Sequence, residues 1–109
     1  MLNENNAMMV PDQYGQIVYN RSVFSAIARN VVEETEKVEV AETSKLFSSS
    51  HITRIEDGKL YISIPVRIAY NANVSDVCTG LQSRIFETIS YMTDYKPEDI
   101  EIQVVGFIF

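Results

Sequence analysis

The chain has 109 residues, 15 acidic against 9 basic, for a net charge of −6, and 46% of it is hydrophobic. That length supports one domain whose core buries roughly two thirds of the unfolded surface, and the apolar content excludes an intrinsically disordered chain. No apolar run approaches the roughly 20 residues a bilayer span needs, and the scattered Lys and Arg lack the basic stripe that neutralises nucleic-acid phosphates.

Residues 1–13 are polar and then run Met8-Met9-Val10-Pro11, which is expected to be a flexible tail ahead of a single domain over residues 14–109. Met1 to Asn6 lack the basic and apolar segments of a signal peptide. Gln16–Tyr19 is a short strand. Asn20 or Ser22 can cap a helix, and Phe24, Ile27, Ala28, Val31 and Val32 supply its apolar stripe to about Glu34. Glu33-Glu34-Thr35-Glu36 places carboxylates at a helix C-terminus, where they are unfavourable, so that end is expected to fray.

Val38 and Val40 mark a short strand, and 44–50 a loop holding Leu46 and Phe47. His51–Ile55 reads as a strand. Asp57-Gly58 turns it into a long strand from Lys59, because both central residues of a type I′ turn need positive φ. Leu60, Ile62, Ile64, Val66, Ile68 and Tyr70 share one face of that strand. Pro65 within it cannot donate to a ladder and must meet an edge or a bulge.

Asn73 caps the second helix, with Asp76 at the capping-box position. Val74, Val77, Cys78, Leu81, Ile85, Ile89 and Met92 repeat at helical spacing. Gly80 in its interior costs about 1 kcal/mol against Ala, with close packing the one reason that suggests itself. Tyr95-Lys96-Pro97 ends the helical region, and Ile100, Ile102, Val104, Gly106 and Ile108 return to a period of two. A strand–crossover–strand unit follows, with a right-handed crossover. The order β-α-β-β-β-α-β predicts an α+β, two-layer domain: a four- to five-stranded mixed sheet with both helices on one face.

Chemistry is sparse. His51, the one histidine, has no nucleophile or acid placed beside it by any motif. Cys78 lies on an apolar stripe, where cysteine packs as a small hydrophobe. A single cysteine points to a reducing compartment. Glu33, Glu34, Glu36, Glu39 and Glu42 lack a calcium-loop pattern, and no second histidine offers zinc spacing. Four glycines form no phosphate-binding loop and no GXXG clamp. No catalytic residue, cofactor or metal is expected, nor direct membrane insertion, and the acidic composition argues against a nucleic-acid target.

The outer sheet face carries Tyr61, Ser63, Pro65, Arg67 and Ala69, and by strict alternation Glu101, Gln103, Val105, Phe107 and Phe109 from the last strand. If helices cover the other face alone, Val105, Phe107 and Phe109 form an exposed apolar patch, the candidate interface. Alternatively Met8, Met9 and Val10 fold back over it; the sequence leaves both open.

These residues together resemble the alkaline shock protein family, the envelope stress response proteins of Gram-positive bacteria. The resemblance runs over about residues 14–109: Gly15-Gln16-Ile17, Val23 through Ala28, Glu34, Tyr70-Asn71-Ala72-Asn73-Val74, Val77, Gln82, Met92-Thr93-Asp94 and Val104-Val105-Gly106-Phe107. Asn71 and Asp94 stand where the family usually has glycine, and 44–50 departs from its glycine-rich stretch. The resemblance implies a non-enzymatic cytoplasmic protein of cell-envelope homeostasis. It implies self-association into a homo-oligomer and a membrane-anchor protein as partner at the inner face of the membrane. A nucleic-acid-associated regulator is the alternative reading.

Overall fold

A computed structural model describes residues 7–41 and 52–109. The chain runs β1 (Ala7–Asp12), β2 (Gly15–Asn20), α1 (Arg21–Glu33), β3 (Val38–Val40), β4 (Thr53–Glu56), β5 (Lys59–Ala69), α2 (Val74–Thr93) and β6 (Asp99–Ile108). β5 is the centre of a four-stranded mixed sheet. β6 runs parallel along one edge of it, from Tyr61 to Ala69. The other edge is shared end to end: β4 pairs antiparallel with Lys59–Ile62 and β3 with Val66–Ile68.

Pro65 sits at the gap between those two short strands. Its carbonyl accepts from the Ala41 N–H at 2.9 Å, while its missing N–H falls where neither β3 nor β4 pairs in register. The sequence expectation of an edge or bulge is met by this gap.

Both helices cover the even-numbered face of β5. Leu60, Ile62, Ile64, Val66 and Ile68 are fully buried in one cluster with Phe24, Val31 and Val32 of α1 and Leu81, Ile85 and Ile89 of α2. Burying side chains of this size is worth about 1.5–3 kcal/mol each. A hydroxyl pair ties α1 to β4 inside this layer, with Ser25 Oγ and Thr53 Oγ1 2.6 Å apart.

Four local details refine the sequence reading. The turn from β4 to β5 has φ of 52° at Asp57 and 72° at Gly58, as an Asp-Gly hairpin requires. Asn73 Oδ1 accepts the Asp76 N–H at 3.0 Å, capping α2. Asp94 ends that helix at φ 59°, a left-handed cap that glycine fills without strain. Nothing lies within 4 Å of a Cβ built on Gly80, so close packing does not explain that glycine.

The acidic end of α1 finds a cation from elsewhere in the chain. Arg84 of α2 donates to Thr35 Oγ1 at 2.6 Å and places a second nitrogen 3.9 Å from Glu34, while Thr35 Oγ1 donates to the Val31 carbonyl. The carboxylates that looked unfavourable are therefore offset in part by tertiary contact.

The residues expected as a loose tail behave otherwise from Ala7 onward. β1 pairs antiparallel with β2 across a two-residue turn, Met8 beside Tyr19 and Val10 beside Ile17. Ala7 and Met8 are buried at the root, near the Asp57-Gly58 turn and Tyr95, and Tyr19 meets Phe24 with ring centroids 6.1 Å apart. The hairpin tip is exposed.

Candidate interaction surface

The last strand does not alternate to its end. Val66 lies beside Val104, but Arg67 lies beside Gly106, so Val105 is an extra residue that shifts the register. A bulge of this kind reverses the parity of everything after it. Phe107 therefore sits beside Ile68, on the helix side of the sheet, and Gly106 beside Arg67, whose side-chain stem lies 3.7 Å from a Cβ built there. The placement of Phe107 with Glu101 and Gln103 on the outer face is corrected by this register. Phe109 stacks on Tyr70, with ring centroids 5.8 Å apart and planes 19° from parallel.

Exposure at this end is high despite the change of face. Val105, Phe107 and Phe109 are 53%, 48% and 94% exposed, and Val104 and Tyr70 are exposed with them. The two aromatic rings that touch each other there gain stacking but leave most of their area in water.

The outer face of the sheet is polar where the sequence placed it. Ser63 Oγ donates to Glu101 at 2.8 Å, and Gln103 Nε2 lies 2.8 Å from both Ser63 Oγ and the same carboxylate oxygen. Donation from Gln103 first, and from Ser63 second, holds the Glu101 carboxyl below the usual glutamate value. Arg54 pairs with Glu56 and lies over the Tyr61 ring at 4.4 Å, and Arg67 approaches Glu39 at 3.7 Å. Such exposed pairs fix side chains more than they add stability. β1 does not cover this face: its root lies beside Asp57, Gly58 and Tyr95 instead.

The remaining candidates gather into no reactive site. Cys78 is half-buried on α2, and desolvation raises its thiol pKa, which keeps it protonated near neutrality. His51, Glu42 and the 44–50 loop lie outside the described residues. Among the described residues, no group of three His, Cys, Asp or Glu side chains is placed to hold a metal ion. No described helix is long and apolar enough to cross a membrane.

A sequence model of the alkaline shock protein family, described by a cell envelope-related function, matches residues 9–109. The chain belongs to the alkaline shock protein family. Neither a curated protein nor a solved structure matches the chain. The match takes in most of β1, so the N-terminal hairpin falls within the family region rather than outside it. Of the two positions where the alkaline shock protein family usually has glycine, Asp94 has positive φ and Asn71 does not. Glycine would relieve strain at the first alone.

Sequence patterning missed two features of this surface. One is the bulge, whose single signal is Gly106 inside a strand. The other is Phe86, exposed on α2 beside the start of β6, where it lines a groove with Pro97 and Asp99.

Proposed function

We propose that this chain acts by contact rather than catalysis, as a non-enzymatic scaffold protein of the cell-envelope stress response. In this reading it is cytoplasmic, assembles with its own copies, and is held near the inner face of the membrane by an anchor protein. The observation that supports it is the apolar end of β6, where Val105, Phe107 and Phe109 stay exposed and Phe109 stacks on Tyr70. Contiguous exposed apolar area commonly marks a protein contact, and its burial is favourable by about 25 cal/mol per Å². A two-fold axis lets such a patch meet its own copy.

Light scattering at micromolar concentration tests the reading. The expected result is a homo-oligomer that Phe107→Glu or Val105→Glu weakens without unfolding the domain, because each charge would be desolvated only in the contact. A monomeric wild-type protein at high concentration contradicts it. So do variants that unfold, which would put both side chains in the core.

A further inference from the structure

A second surface lies at the other end of β6. Among the described residues β6 pairs with β5 alone, which leaves its far edge open. In a parallel ladder alternate residues turn to the partner. Pro65 and Ala69 turn their backbone groups to β3, so the even-numbered residues of β5 bond to β6. Asp99, Glu101 and Gln103 therefore bond inward to β5, while Ile100 and Ile102 direct their N–H and C=O groups outward, the Ile100 carbonyl accepting from Gln82 Nε2 at 3.0 Å.

The side chains along this edge form two rows. Asp99, Glu101 and Gln103 are in register with Tyr61, Ser63 and Pro65 on the outer face; Ile100 and Ile102 belong to the helix side. Above the helix-side row, α2 leans past the edge, and Ser83, Phe86 and Glu87 close a groove of about 410 Å³ against Pro97, Glu98 and Asp99. No Lys or Arg lines it; Arg84 and Lys96 adjoin lining residues in the chain, and on the outer face Arg21 and Arg54 share a cleft with Asp99 and Glu101.

We propose that this edge takes an extended segment of a protein partner in which basic and apolar residues alternate, added as a further strand beside β6. The proposal rests on the reading of this chain as an interaction protein and names the chemistry of its partner. Backbone hydrogen bonds to the Ile100 N–H and to the N–H and C=O of Ile102 hold the segment. Its basic side chains meet the Asp99 and Glu101 carboxylates on the outer face, and its apolar side chains fit under Phe86 beside Ile100 and Ile102. Opposite charges across neighbouring strands are favourable, and like charges are not. A second copy is a poor occupant for that reason: its own β6, laid antiparallel over this stretch, would set Asp99 against Glu101.

A fluorescent, end-capped peptide of alternating lysine and valine, seven residues long, is the probe. Anisotropy should show saturable binding, and amide exchange at Ile100 and Ile102 should slow. Methylating the peptide nitrogens that face β6 should abolish binding. Asp99→Asn with Glu101→Gln should weaken it roughly threefold to tenfold, as two cross-strand charge pairs would. An alternating glutamate–valine peptide should not bind. No binding, binding indifferent to methylation, or protection mapped to another part of the molecule each overturns the proposal. Phe107→Glu should bind the peptide as wild type does. An oligomer that ignores the peptide fails this proposal alone, and a monomer that binds it fails the self-association reading alone.

Discussion

Gly80→Ala should make this domain more stable. Gly80 lies in the interior of α2, six residues after its first residue, with helical backbone and an exposed surface. A methyl group there meets nothing within 4 Å, so no clash and no new packing enters the balance. What remains is backbone entropy, which favours Ala over Gly by about 1 kcal/mol inside a helix. For a domain near 100 residues that corresponds to a rise in Tm of about 4–8 °C. In urea, with a slope of about 1–3 kcal/mol/M, the midpoint should move up by roughly 0.3–1 M with the slope unchanged. An unchanged or lowered midpoint would refute the reasoning, because it would require a contact at Gly80 that the single chain lacks. If the loss appears only at concentrations where copies associate, the glycine lies in the assembly contact, and light scattering on the same variant would reveal it.

Leu81, one residue on, should respond in the opposite direction: it is fully buried against β5, and Leu81→Ala should cost about 2–5 kcal/mol in a denaturant melt. A cost below about 1 kcal/mol would mean that another face of α2 is inward. Asp94→Gly should raise stability by about 1 kcal/mol, since φ 59° strains a residue with a Cβ; a neutral result would show that Asp94 gains an offsetting contact. Glu101 should titrate below an ordinary glutamate by NMR, and Gln103→Ala should bring it back up. A folded-state pKa below the unfolded one contributes stability above the unfolded value, and loses it as pH falls through the folded value. The Gln103→Ala protein should therefore lose less stability on acidification than wild type.

The two-layer core was legible because the periods of β5 and α2 are long and unbroken. Leu60 to Ile68 and Leu81 to Ile89 each bury one face, and side-chain period alone assigns that face. Beyond Val104 the same rule misleads. One inserted residue, Val105, turns Phe107 to the helix side, and alternation cannot register an insertion of one. The hairpin of β1 and β2 was hidden for another reason. Met8, Met9 and Val10 are consecutive apolar residues without alternation, and Met8 is buried by contacts with chain some fifty residues away. Arg84, which meets the acidic end of α1, comes from 49 residues downstream of Thr35. Sequence-local rules for helix ends do not reach that far.

The division of β5 between near and distant partners sets an order of assembly. On one edge, β4 joins it through two turn residues, and hairpins of that kind close in about 1–10 μs. On the other, β6 arrives from 38 residues away, as between Ser63 and Glu101, and only after α2 has spanned the crossover. Closing that larger loop costs entropy before any pairing repays it. Until it closes, the apolar row from Leu60 to Ile68 lacks its β6 neighbours and one side of the ladder stays unfilled, a state prone to aggregation. Changes in the Asp57-Gly58 turn should then act chiefly on how fast the chain folds, and changes in Ile100 or Ile102 on how long the folded state persists.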